Sequence, residues 1–284
     1  MNSYNESIFV ETTALVDSIK PEYREVLDEV LSKYDKKISS NYVKMEIKRG
    51  VIQYLVYLHN KIVMCREMSE VFSAISRLSS TPQRHRLGTT LEAITNFFSS
   101  IEHITLQEML DASGDIPHGD YLRHQSSSFI RNLIRTVWRR FEKIIDEDIN
   151  PMSCFEDIEP PKFENGVFDN APRTCDKSQF ECQIRSFFKE NCHSFSTIGN
   201  NLQRLPNQSI DDETRNRIRS LKEIIRLLPY NNRKFSNKDG AKKCWRCGDV
   251  ILAVLAPEGA HILHRNPKHY DAICKSLNKK GITY

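Results

Sequence analysis

The chain has 284 residues, 39% of them apolar and 27% charged, with 41 Lys plus Arg against 37 Asp plus Glu and a formal charge of +4. This composition excludes an intrinsically disordered chain, allows one or two domains with sizeable cores, and neither requires nor excludes a nucleic-acid partner. The opening "MNSYNESIFVETTALVDSIK" lacks the basic flank and apolar run of a secretory signal, and no stretch has the apolar length of a membrane span. The expectation is therefore a cytoplasmic protein without membrane contacts, whose eight cysteines are mostly thiols.

In chain order, "SIFV" at Ser7 to Val10 is a short β-prone run. "PEYREVLDEVLSKY" repeats apolar residues at Val26, Leu27, Val30 and Leu31 behind Pro21, the spacing of a helix with proline in its first turn. "KKIS" reads as a second strand, and "NYVKMEIKRGVIQYLVYLHNKIVM" as one long helix with Asn41 as its N-cap. A further helix is expected over "DYLRHQSSSFIRNLIRTVWRRFEKIIDED", with an apolar stripe through Ile130, Ile134, Val137, Trp138 and Phe141. "NPMSCFEDIEPPKFENGVFDNAPRTCDK" reads as a long loop. Two helices follow, in "QFECQIRSFFKENCHSF" and "DDETRNRIRSLKEII", and "IIRLLPY" is either a strand or a helix end. The chain then reads as a buried helix in "DVILAVLA", a strand in "AHILHRN" and a short helix in "PKHYDAICKSLNKK". The pattern predicts an α/β core with a short, mainly parallel sheet, formed by residues 1–60 and 218–284. A mostly helical insertion at 61–217 splits it.

The stretch from Cys244 to Cys274 admits three readings. Cys244 and Cys247 could bind zinc with two of His261, His264, His269 and Cys274, since thiolates and imidazoles suit a tetrahedral site. The C-x-x-C could instead be a redox pair at a helix N-terminus. In the third reading the cysteines are structural and Asp249, opening the apolar helix after Gly248, is the functional residue. The eight-residue apolar run directly after Cys247 fits a core helix better than a finger loop, which favours the third. Cys154, Cys175, Cys182, Cys192 and His193 are too irregularly spaced for a second metal cluster, and the cysteines read as buried thiols in small helices.

Four landmarks together resemble the PIN-domain family of metal-dependent nucleases. "IFVETTALV" resembles that family's strand ending in Asp-Thr-Ser-Ala-Leu, with Glu11 at the acidic position. "SSNYVKMEIKRGVIQYL" places Glu46 where the second acid is found, and "GDVILAVLA" places Asp249 at the third. "LHRNPKHY" supplies Asn266 and Tyr270 at the last position, with His264 where the family has Thr. The resemblance covers the two ends of the chain and implies a three-layer α/β/α core. It also implies a site of Glu11, Glu46, Asp249 and Asn266 that binds Mg2+ or Mn2+ through the three acids and cleaves phosphodiester bonds. RNA is the implied substrate, in a toxin, processing or defence role.

The chemistry is coherent on its own terms. Carboxylates gathered at the ends of parallel strands repel unless a cation joins them, and oxygen-only ligands suit Mg2+ or Mn2+. The bland reading of Glu46 is a solvated helix carboxylate between Lys44 and Lys48. Glu11 is one methylene longer than the family's Asp. A catalytically weak or inactive PIN-like binding module therefore stays open beside the nuclease, as does a zinc-binding interaction domain using Cys244 and Cys247. In the insertion, Arg131, Arg135, Arg139 and Lys143 recur every four residues on one helix face and could track RNA phosphates. A solvated face with Glu142 and Asp146 nearby is the plainer reading, and the insertion could equally dock a protein partner.

Overall fold

The computed structural model describes residues 7–79, 92, 118–150, 152, 158–169, 183–204, 212–227 and 244–284. In chain order the elements open with β1 (Ser7–Val10), α1 (Thr12–Asp17), α2 (Pro21–Ser32), β2 (Lys36–Ser40) and α3 (Asn41–Ile47). A π-helical turn at Lys48–Ile52 leads into α4 (Gln53–Met64). Next come α5 (Met68–Ser79), α6 (His118–Ile144), β3 (Glu147–Ile149), β4 (Phe163–Glu164) and β5 (Val167–Phe168). The chain ends with α7 (Gln183–Glu190), α8 (Cys192–Gln203), α9 (Asp212–Leu227), α10 (Gly248–Leu255), β6 (His261–Leu263), α11 (Pro267–Ser276) and β7 (Gly281–Ile282). Contacts divide the chain into two compact units. One holds Met1–Met45, Glu142–Ile158 and Thr174–Tyr284, the other Glu46–Phe141 and Glu159–Arg173.

The first unit is α/β. Its five-stranded sheet has the order β3-β2-β1-β6-β7, and every pairing in it is parallel. β1 is the central strand, with Phe9 opposite Ile38 of β2 and opposite Ile262 of β6. Ile8, Phe9 and Val10 are all at most 1% exposed, as expected of a parallel strand covered on both faces. The strand order reverses direction between β1 and β6: from β1 the chain steps outward through β2 and β3, and from β6 it steps the other way to β7.

Several expectations need correction. The acidic end of the helix expected to run to Asp148 is not helix: Glu147–Ile149 forms edge strand β3, with Ile38 opposite Glu147. Lys36 pairs with Glu147, Lys37 with Asp146 and Lys44 with Asp148, so the charge on β2 and α3 complements that of β3. The core sheet thus takes a strand from inside the stretch 61–217, and α7 and α8 fall in the same unit. There Phe187, Phe188 and Phe195 pack together, with rings of the last two 4.4 Å apart. The expected N-cap Asn41 also gives way to its neighbour. The Ser40 hydroxyl accepts from the Val43 N–H at 3.4 Å, whereas the Asn41 amide donates to Asn150 and to the Met152 carbonyl. "IIRLLPY" opens as helix, since α9 runs to Leu227; 228–230 lie outside the described residues.

The second unit is mainly helical, with α4 packed on α5 and on β5. The helix expected from Asn41 to Met64 is interrupted by the π-helical turn, where a ring of hydrogen bonds widens by one residue. Inside that turn the buried Lys48 ammonium donates to the Glu159 carbonyl at 2.6 Å, and burial lowers its pKa. The stretch expected as loop contains a hairpin. Asn165 and Gly166 have φ of 51° and 82°, the left-handed pair of a two-residue turn joining β4 to β5. Asn60 of α4 meets this hairpin through both amide atoms, donating to the Phe168 carbonyl at 2.7 Å and accepting its N–H at 3.0 Å. The expected basic stripe on α6 splits. Arg135, Arg139 and Lys143 are exposed, while the Arg131 guanidinium lies 5.2 Å from the Phe163 ring centre and is half-buried.

Candidate functional site

The candidate site lies in the first unit, at the carboxyl ends of β1 and β6. The backbone N–H of Glu11, just past β1, donates to the Leu263 carbonyl at the end of β6 at 3.4 Å. The two strand ends are therefore adjacent, and the strand order reverses between them. In open parallel sheets that crevice is where ligands bind, because the connections leave in opposite directions and part there.

Glu11 is 3% exposed, and its carboxylate caps α1. Oε2 accepts from the Thr13 N–H at 2.8 Å and Oε1 from the Ala14 N–H at 3.1 Å. Both oxygens are thus fixed by the N-terminus of α1. Asp249 stands in the first turn of α10 with its side chain 30% exposed, and its Oδ2 accepts from Arg217 Nη2 of α9 at 2.5 Å. Arg217 is 3% exposed. Asn266 is exposed at the N-cap position of α11, just beyond β6, with no side-chain capping bond. Of the residues expected to form the site, Glu11 and Asn266 stand just past the ends of the neighbouring strands β1 and β6, and Asp249 stands in the first turn of α10. Glu46, on the last turn of α3 and half-buried, is the first residue of the second unit.

His264 replaces a threonine of the resembled pattern, and here it is wholly buried. Its ring stacks on Tyr270, with centres 4.7 Å apart and planes 13° apart, and neither ring nitrogen meets a hydrogen-bonding partner among the described residues. Burial lowers its pKa against the opposing pull of Asp271 and Asp249, so it is held neutral. The unfolded chain, with an ordinary histidine value near 6.5, then binds more protons than the folded one just below that pH. Stability from this group is therefore complete above about pH 6.5 and falls as the pH drops, by up to ~1.4 kcal/mol per pH unit until the folded-state value is reached. Burial shifts His59 of the second unit in the same direction. Urea midpoints at pH 7.5 and 5.5 should show the loss, and His264→Phe should reduce it.

Gly281 of β7 explains how the imidazole is confined. A Cβ there would lie 2.5 Å from His264 Nε2 and 3.6 Å from the Cys274 sulfur. The ring is buried and stacked on Tyr270, so Gly281→Ala should cost about 1–3 kcal/mol through overpacking. The expected signature is a lower denaturant midpoint with the slope unchanged.

Asp17, Arg265, Tyr23 and Tyr284 were not singled out by the sequence reading, because they meet only in the fold. Asp17, 2% exposed at the end of α1, accepts from Arg265 Nη1 at 2.9 Å and the Tyr284 hydroxyl at 3.0 Å, and Lys20 lies 3.4 Å away. Burial, then Asp17 and Glu11, push the Tyr284 pKa up, which places Glu11 within electrostatic reach of this cluster.

The C-x-x-C pair packs beside α10. Cys244 and Cys247 are buried thiols, and the Tyr42 hydroxyl donates to the Cys244 carbonyl at 2.5 Å. Burial raises the pKa of Cys274 to about 11. Cys154, Cys175, Cys182 and the side chain of His269 lie outside the described residues. Among the described residues no three His, Cys, Asp or Glu side chains are grouped closely enough to hold a metal ion. Nor does any described helix have the length and apolarity to cross a membrane. Comparison with protein-family models, curated proteins and solved structures finds no match.

Proposed function

We propose that the chain is a PIN-like nuclease with a three-layer α/β/α core that cleaves RNA with Mg2+ or Mn2+. The observation carrying this reading is a buried carboxylate, Glu11, at the end of the central strand of an all-parallel sheet, beside the point where the strand order reverses. Glu11 and Asp249 offer only oxygen donors, which suit these ions. Mg2+ is commonly held by one or two carboxylates, with water and phosphate oxygens completing its shell, so a grouping of three protein ligands is not required. A bound ion would activate water and neutralise charge developing on the phosphodiester. The protein's own part is orientation: α1 fixes Glu11, Arg217 fixes Asp249, and Asn266 offers a neutral amide to water or phosphate.

A second reading, a non-catalytic RNA-binding module, is favoured by one observation. The Asp249 charge is already matched by the Arg217 guanidinium. Incubating a labelled RNA pool with the protein in Mg2+, Mn2+ or EDTA separates the two. Cleavage in either metal and none in EDTA is the expected result, and Glu46→Gln in the same assay reads the role of the second acid. RNA retained but intact under every condition would replace the nuclease with the binding module.

A further inference from the structure

We propose that Arg265 is a phosphate-binding residue, a guanidinium fixed at the ends of β1 and β6 that takes a backbone phosphate of RNA. The inference rests on RNA being the ligand, but not on its being cut. Arg265 sits between His264 and Asn266, directly past β6. Its side chain is 42% exposed, while the carboxylate holding it, Asp17, is 2% exposed. Nη1 donates to Asp17 at 2.9 Å and Nη2 to the Tyr23 hydroxyl at 2.5 Å, and the guanidinium carbon lies 4.4 Å from the Tyr23 ring centre. An exposed arginine ordinarily samples many rotamers and loses that freedom on binding. Here the loss has already occurred in the free protein, which lowers the cost of capturing a ligand.

The cluster is more than a structural tie. Arg265 and Lys20 both approach the buried Asp17 carboxylate, at 2.9 and 3.4 Å, while the guanidinium itself stays partly exposed. A guanidinium carries five N–H donors, and those beyond the two bonds named meet no hydrogen-bonding partner among the described residues. A planar, oriented, partly exposed fork with spare donors is suited to phosphate, which it can bind through two parallel hydrogen bonds.

The test uses the full chain and a short fluorescein-labelled single-stranded RNA, titrated by anisotropy in EDTA across a salt series. Arg265→Gln is expected to weaken binding roughly tenfold and to lower the slope of log affinity against log salt by about 0.7, the contribution of one phosphate contact on a single strand. Arg265→Lys should keep the slope and lose about threefold in affinity, because the charge remains and the fork does not. A purely structural role would shift the unfolding midpoint and leave both affinity and slope at wild-type values, which overturns the proposal. So does a wild-type protein that fails to bind the RNA. If Arg265→Gln does not fold, Tyr23→Leu removes the platform without touching charge and should weaken binding about threefold. Wild-type affinity in both Tyr23→Leu and Arg265→Lys then overturns the proposal. RNA bound through Arg265 but never cleaved in Mg2+ or Mn2+ defeats the nuclease reading alone, whereas cleavage with an unchanged KM in Arg265→Gln defeats this inference alone.

Discussion

Glu11→Gln is expected to lower metal-dependent RNA cleavage by at least about a hundredfold while the protein still folds, because the substitution removes the charge and keeps the shape. The stability cost should be about 1 kcal/mol. Gln retains one oxygen for the α1 N-terminus, but its amide group cannot accept from the second of the two N–H donors, Thr13 and Ala14. Glu11→Asp is the sharper experiment. Aspartate is among the preferred N-cap residues, so the helix start should be kept and the unfolding midpoint should barely move. Its carboxylate, however, retracts by roughly the 1.5 Å of one C–C bond. In a site built around the longer side chain, a displacement of that size costs about a hundredfold in rate. In a site degenerating from an aspartate ancestor, the same change should raise cleavage. Wild-type rates in Glu11→Gln would remove Glu11 from the chemistry altogether.

The strands and helices that were legible in the sequence are those whose pattern is local. "SIFV" and "KKIS" announce themselves by β-prone residues, and "DVILAVLA" by an apolar run behind an acidic first turn. β3 was not legible, since "EDI" has little strand propensity of its own and is a strand only by pairing with β2, where Lys36, Lys37 and Lys44 meet Glu147, Asp146 and Asp148. The β4–β5 hairpin was legible in principle: "FENGVF" carries the Asn-Gly signal between β-prone residues, masked by the prolines and acids around it. For the site, local pattern located Glu11, Asp249 and Asn266 on their elements. It could not show Arg217 on Asp249, or Asp17 beneath Arg265, because those partners are separated by 32 and 248 residues and meet only once the sheet has formed.

The pairing of Asp249 with Arg217 leads to an asymmetric stability result. Asp249→Ala removes a carboxylate from a guanidinium that is 3% exposed, so the loss should be about 3 kcal/mol. Arg217→Met leaves the opposite member, an aspartate that is 30% exposed and can turn to water, while methionine fills much of the vacated volume; about 1 kcal/mol is expected. Asp249→Asn keeps an oxygen for Arg217 and should fall between them. Urea midpoints order the three variants, and equal losses in Asp249→Ala and Arg217→Met would show that the burial difference does not control the pair. The same variants separate the two functional readings. If Asp249 holds an ion, Arg217 competes with that ion for the carboxylate. Arg217→Met should then bind Mn2+ more tightly than wild type, by about tenfold on the scale of one charge-assisted hydrogen bond, while Asp249→Asn should bind it more weakly and lose cleavage. If the guanidinium has taken the place of a cation in a binding module, calorimetry should detect no Mn2+ binding in wild type. Arg217→Met would then be the variant in which binding first appears, because removing the fixed positive charge leaves the carboxylate needing another.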